Sequence, residues 1–162
     1  MHELMKKVGK KLIANHLTIS FAESATAGRL TFEFSMIENA GKFLKGGIAC
    51  YDAKIKETLL NVSPELIKKY TPESMEVTKG ITHGLANIIP ADINIGITGL
   101  TAPGGSETEE KPVGTMFIYA TRNNQAIVEE RCLFSGEREE IVAATTQRIT
   151  AVLIGYLDAL QS

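Results

Sequence analysis

Leu4, Met5, Val8, Leu12 and Ile13 recur at helical spacing, with Lys6, Lys7, Lys10 and Lys11 between them. That pattern predicts an amphipathic helix over residues 2–15. Leu17-Thr18-Ile19-Ser20-Phe21-Ala22 reads as a strand, and the next helix is expected to start at Ser24 or Thr26 and reach about Met36. Asn39-Ala40-Gly41 punctuates the chain. Phe43 to Tyr51 holds Gly46-Gly47 and then Ile48-Ala49-Cys50-Tyr51, read as a second strand. The paired glycines there point to a bulge or a close backbone approach. Residues 53–60 read as helical. Ser63 and Pro64 form an N-cap and first-position pair. Another helix start is read at Thr71-Pro72-Glu73, with a helix running to about Ile88. Ile93 to Ile97 alternates as a strand does. A long loop from Gly99 to Lys111 holds Pro103-Gly104-Gly105-Ser106. Val113–Thr121 and Ala126–Phe134 read as strands joined at Arg122-Asn123-Asn124-Gln125, a hairpin signal. Ile141, Thr145, Ile149, Val152, Leu153, Tyr156 and Leu160 share one face of a closing helix of about 22 residues.

Strands alternate with helices first, and a hairpin follows. The expected architecture is therefore a three-layer α/β/α domain with a mixed β-sheet. At 162 residues, the chain reads as a single domain over 1–162. No repeat, linker or low-complexity segment interrupts it.

Composition narrows the function classes. The formal net charge is −2, which gives no electrostatic case for nucleic acid or an anionic membrane as partner. No run of 18 apolar residues exists to span a bilayer. The start of the chain, Met1-His2-Glu3-Leu4-Met5-Lys6-Lys7, has no secretory leader pattern, so a cytoplasmic location is expected. Cys50 and Cys132 have neither C-x-x-C nor zinc-ligand spacing and read as reduced core residues. No metal or cofactor is expected. A homodimer is the base-rate oligomer.

Ser24 follows directly on a strand, at Ala22-Glu23-Ser24-Ala25-Thr26-Ala27-Gly28. It has two compatible readings. It can cap a helix through its hydroxyl, or it can act as a nucleophile beside free N–H donors. A nucleophile needs a base. His2 is terminal, His16 follows a helix end and His83 lies within the helix ending near Ile88, so no histidine is singled out. Lys56 is the alternative, five residues beyond Tyr51 on a segment that leaves a strand end. An ordinary lysine has a pKa of about 10.4, so Lys56 can serve only if it is desolvated or placed near another cation. Lys54 is expected to point away on the same helix.

Several stretches together resemble the CinA C-terminal domain family, whose active members are nicotinamide-nucleotide amidases. Ala22-Glu23-Ser24-x-Thr26-x-Gly28 resembles the family's A-E-S-C-T-G-G. Gly47-x-x-x-Tyr51, Lys56 and Leu59-Leu60-Asn61-Val62 resemble G-x-x-x-Y-x-x-x-x-K-x-x-L-L-G-V. Gly99-x-x-x-Pro103-Gly104-Gly105, Lys111-Pro112-Val113-Gly114-Thr115 and Phe134-x-Gly136-Glu137-Arg138 resemble G-I-A-G-P-x-G-G, K-P-V-G-T and F-x-G-D-R.

The resemblance implies hydrolysis of nicotinamide mononucleotide to nicotinate mononucleotide and ammonia, without metal. It implies Ser24 as nucleophile, Lys56 as general base and Tyr51 as a hydrogen-bonding partner. Ala25, Thr26, Gly28, Gly99, Gly104 and Gly105 would border this small-molecule nucleotide substrate, and Arg138 would pair with its phosphate. Backbone N–H groups of the glycine-rich stretch, or of the helix after Ser24, would also hold the phosphate. The chain departs from the family pattern at Ala25, Ala27, Ala102, Glu137 and Val142, and at Glu73-Ser74-Met75, where the family has V-S-x. Those departures define the alternative, a catalytically impaired nucleotide-binding or regulatory domain. Longer family members carry a further N-terminal domain.

Overall fold

The structure, a computed structural model, describes residues 2–160. Among these residues, five strands make one mixed sheet: β1 (Ile19–Glu23), β2 (Leu44–Ala49), β3 (Ile93–Gly99), β4 (Thr115–Arg122) and β5 (Gln125–Leu133). Their order is β2-β1-β3-β4-β5. β1 runs parallel to both β2 and β3. β4 and β5 return antiparallel as a hairpin. The turn is Asn123-Asn124, with φ of 51° and 62°. Asparagine tolerates that left-handed region, which a two-residue hairpin turn requires.

Among the described residues, six α-helices flank the sheet: α1 (His2–Ala14), α2 (Arg29–Ser35), α3 (Ala53–Thr58), α4 (Pro64–Tyr70), α5 (Met75–Ile88) and α6 (Arg138–Ala159). Alternation along the strands assigns each residue to one face. Ile19, Phe21, Ile93, Ile95, Ile97 and Ile118 face α1, α2 and α6, in a cluster with Val8, Leu12, Phe34, Ile149 and Leu153. Ala22 faces the other way, clustered with Leu60, Val62 and Ile67, and with Val77, Ile81 and Leu85 of α5. The strand residues on that face are small because α5 lies close. A Cβ at Gly96 would stand 2.2 Å from Thr82 Oγ1 and 2.8 Å from the Thr78 carbonyl. The result is the expected three-layer α/β/α architecture.

The structure corrects several element boundaries. α2 begins at Arg29, not at Ser24 or Thr26. Ala27 and Gly28 carry φ of 49° and 96°, and a right-handed helix cannot run through positive φ. β2 starts and ends earlier than expected, so Gly46-Gly47 lie inside it and Cys50-Tyr51 beyond it. Both expectations for the glycine pair hold. The β1–β2 register slips between Ile19 and Ser20, and a Cβ at Gly47 would come within 2.0 Å of Thr31 Oγ1. α5 starts at Met75 because Ser74, rather than Thr71, caps it: the Ser74 hydroxyl accepts from Val77 N at 3.3 Å. Ser63 caps α4 as read, accepting from Leu66 N at 3.2 Å. On α6, Leu157 is buried whereas Leu160 is exposed.

The topology places a cleft. From β1 the chain crosses by α2 to β2 on one side. It then returns by α4 and α5 to β3 on the other side of β1. The connections leave the C-terminal ends of β1 and β3 in opposite directions. Such a switch point in a parallel sheet is where α/β domains open a crevice.

Candidate active site

Ser24 is the first residue beyond β1. Its N–H still pairs with the Ile97 carbonyl at 2.9 Å, so the serine is held at the sheet edge of the crevice. It is buried. The hydroxyl does not cap α2, whose N-cap is Gly28. Among the described residues, Ser24 Oγ has no hydrogen-bond partner. The backbone N–H groups of Ala25 and Thr26 likewise donate to no protein acceptor there.

The cap comes instead from Glu23. Its buried carboxylate accepts from Gly28 N at 3.1 Å, Leu30 N at 3.0 Å and Thr31 N at 2.8 Å. It also accepts from the hydroxyls of Thr26 and Thr31, each at 2.7 Å. One carboxylate thus ties the Ser24–Gly28 turn to the first turn of α2, as a side-chain cap does. The same bonds occupy the N–H groups that the sequence offered for a phosphate. This role of Glu23 was missed in the sequence. The available signal was an acid ending an apolar strand just before T-x-G-x-x-T.

Lys56 reaches the same region from β2. Cys50 N donates to the Glu23 carbonyl at 2.9 Å, which sets Tyr51 beside Ser24. Asp52 then caps α3 by accepting from Lys54 N at 2.7 Å. The helix turns Lys54 outward, where it pairs with Glu57 at 2.7 Å, and turns Lys56 inward. Lys56 is 1% exposed, and Nζ donates to the Tyr51 carbonyl at 3.2 Å. Burial pushes its amine below the ordinary lysine range, opposed by the nearby Cys50, Glu73 and Asp52. No direct hydrogen bond joins Lys56 Nζ to Ser24 Oγ. Burial raises the Cys50 thiol to about 11, so at neutral pH it is protonated and inert as a nucleophile.

A cavity of about 240 Å³ opens over Ser24. Ala25, Tyr51, Gly99, Gly104, Gly105 and Arg138 line it with Ser24, as do Glu73 and Leu100 to Pro103. Lys56 does not line it, but its Nζ donates to the carbonyl of Tyr51, which does. Thr26 and Gly28 do not line it, being turned to Glu23. The Tyr51 side chain is 64% exposed at the rim, and it is the Tyr51 carbonyl that meets Lys56. Gly104 N–H is committed to Glu107 Oε1 at 2.7 Å. Arg138, at the start of α6, forms no ion pair or hydrogen bond among the described residues. Of the departures from the family pattern named above, Ala25, Ala102 and Glu73 line this cavity, Glu137 lines only the adjoining one beyond Arg138, and Ala27 and Val142 line neither.

The glycine-rich wall is fastened by a cluster the sequence did not disclose. Lys111 Nζ donates to Thr71 Oγ1 and Ser106 Oγ, each at 2.7 Å, and to the Glu73 carbonyl at 2.9 Å. Ser106 Oγ donates to Glu73 Oε2 at 2.5 Å. No group of three or more His, Cys, Asp or Glu among the described residues could hold a metal ion. No described helix is long and apolar enough to cross a membrane.

The CinA C-terminal domain model matches residues 1–157. The chain belongs to the CinA C-terminal domain family. This CinA domain is 32% identical to a CinA-like protein of Desulfotalea psychrophila over 93% of its own length and 36% of the relative's. It is 37% identical to a CinA-like protein of Thermosipho melanesiensis, over 76% of its own length and 31% of that protein's. The chain thus spans about a third of the length of these curated relatives. A CinA superfamily crystal structure from Klebsiella pneumoniae superposes with a TM-score of 0.91 at 27% identity, covering 98% of each chain. One from Enterobacter cloacae gives 0.89 at 29% identity, covering 96% of this chain and 91% of that one.

Proposed function

We propose that this CinA domain is an amidase that hydrolyses the carboxamide of nicotinamide mononucleotide to nicotinate mononucleotide and ammonia. The observation that carries the reading is an uncommitted Ser24 hydroxyl in the switch-point cavity, with a desolvated lysine bonded to the carbonyl of Tyr51, another residue of the cavity wall.

Neutral Lys56 Nζ takes the Ser24 proton as Oγ attacks the carboxamide carbon. The carbonyl oxygen gathers negative charge near the free N–H group of Ala25, which lines the cavity and serves as an oxyanion donor. The C–N bond then breaks, and Lys56 returns the proton so that nitrogen leaves as ammonia. Ser24 is left as an ester of the nicotinate group. Lys56 next takes a proton from water as the water oxygen attacks that ester. The C–O bond to Ser24 breaks and the proton returns to Oγ. Tyr51 closes the cavity rim beside the ring, and Arg138 offers its unpaired guanidinium to the phosphate.

The alternative, a domain that binds a nucleotide without turnover, gains little support from the departures from the family pattern. Ala102 lines the cavity, but its methyl leaves that volume open. Ala27 is exposed away from the cavity. Ammonia release decides between the two readings. The purified domain is expected to release ammonia from nicotinamide mononucleotide, and Ser24→Ala and Lys56→Met to lose at least a hundredfold of that rate. Wild-type protein that releases none, or a Ser24→Ala variant with full activity, overturns the amidase reading.

A further inference from the structure

Glu73 shares the cavity with Ser24 but has no part in the steps above. It lies in the α4–α5 connection, and Ser106 Oγ holds Oε2 at 2.5 Å. That hydroxyl is itself bonded by Lys111 Nζ. The three protons of the Lys111 ammonium go to Thr71 Oγ1, Ser106 Oγ and the Glu73 carbonyl. None goes to the Glu73 carboxylate. Among the described residues, the carboxylate forms no ion pair, and Oε1 accepts no hydrogen bond. The carboxylate is therefore held in place by a hydroxyl, with the Lys111 and Lys56 ammonium groups close but in no ion-pair contact with it, at the wall of a 240 Å³ cavity. Its field reaches the site, since it favours the charged forms of both Lys56 and Lys111. A cation bound in the cavity would meet the carboxylate on its unbonded Oε1 side.

We propose that Glu73 is a specificity-determining residue that selects an amide carried on a cationic ring over the same amide on a neutral ring. The inference rests on the amidase reading and adds a source of discrimination that Ser24 and Lys56 cannot provide. A carboxamide on an N-glycosylated pyridinium carries a full positive charge in its ring. The dihydropyridine form of the same mononucleotide has the same carboxamide, sugar and phosphate and a neutral ring. The two ligands differ chiefly in the charge that Glu73 would read.

The test uses Ser24→Ala protein, so that neither ligand is consumed, and calorimetric binding of nicotinamide mononucleotide and its dihydro form. The cationic ligand is expected to bind about tenfold more tightly, the effect of one partly solvated opposite charge at close range. Adding Glu73→Gln keeps an acceptor for Ser106 and is expected to bring the ratio to within about twofold, with the affinity for the dihydro form unchanged. Glu73→Asp keeps the charge and is expected to restore a preference. A preference that survives Glu73→Gln overturns the proposal, as does an equal loss of both affinities. If wild-type protein releases ammonia while the ratio is flat, the specificity role falls and the amidase stands. If it neither binds nor hydrolyses the mononucleotide, both fall.

Discussion

At the scale of single residues, the buried lysine is the costly group. Lys56 is buried with one carbonyl partner, and desolvation lowers its pKa. The unfolded chain therefore holds the Lys56 proton to higher pH than the folded chain does. Between the folded and unfolded pKa values, stability rises with pH, and below the folded value the full penalty is present. Lys56→Met keeps the apolar stem and removes that penalty. It is expected to raise unfolding stability at neutral pH by roughly 0.5–2 kcal/mol while removing turnover, a trade of stability against activity. Urea denaturation of both proteins at neutral pH, run beside the ammonia assay, checks this. A variant that is both less stable and inactive would point to a structural role for Lys56. The same shift fixes the sign of the activity profile. kcat/KM should rise with pH as Lys56 loses its proton, with the rise centred below the ordinary lysine range. The groups facing Lys56 are Cys50, Asp52 and Glu73. Cys50 stays neutral at these pH values, so Asp52 and Glu73 are the charges that hold the limb up.

Among elements, the Ser24–Gly28 turn depends on a side chain outside it. Glu23 holds five donors from the turn and α2. Glu23→Gln must turn an N–H₂ toward at least one of those donors and loses the charge that strengthens them all. It is expected to cost roughly 3 kcal/mol or more, read as a lower urea midpoint with an unchanged slope. Gly47→Ala attacks the same assembly from β2. Its new methyl would press on Thr31 Oγ1, which itself donates to Glu23, and overpacking of this kind costs about 1–3 kcal/mol. An unchanged midpoint for Gly47→Ala would show that Thr31 can move aside freely. This turn also explains what the sequence concealed. Ser63-Pro64 is a local cap and was legible as one. The start of α2 is set by a carboxylate that bonds up to eight residues ahead, and helix periodicity carries no trace of that. The start of α5 slipped for a related reason. Thr71-Pro72-Glu73 has cap composition, but Thr71 sits at φ 69°, and its hydroxyl is spent on Lys111.

Across the whole molecule, strand order converts a linear motif into a site. Ser24 follows β1, Tyr51 and Lys56 follow β2, and the glycine-rich loop follows β3. The three parallel strands bring their C-terminal ends to one edge. The alternation of strands and helices was legible, and so was the placing of Ser24 just after a strand and of Lys56 on the segment after the next one. The cavity wall was not, because the Lys111–Ser106–Thr71–Glu73 cluster joins residues far apart in the chain through polar bonds that leave no hydrophobic pattern. If the proposed reaction is right, its product, nicotinate mononucleotide, should stabilise the folded chain by mass action. At a hundred times Kd the gain is about 2.7 kcal/mol, a thermal shift of roughly 5–10 °C for a domain of this size. Arg138→Met leaves an exposed position and should lose most of that shift while the unliganded melting temperature stays unchanged. An undiminished shift would remove Arg138 from the phosphate. The most direct measurement is the covalent state of Ser24 during turnover. Protein quenched with acid while consuming nicotinamide mononucleotide, then digested and weighed, should show the Ser24 peptide heavier by the substrate less ammonia, and Ser24→Ala protein should show no adduct. Steady ammonia release with the Ser24 peptide unmodified at every time point, and undiminished in Ser24→Ala, would contradict the assignment of Ser24 as nucleophile.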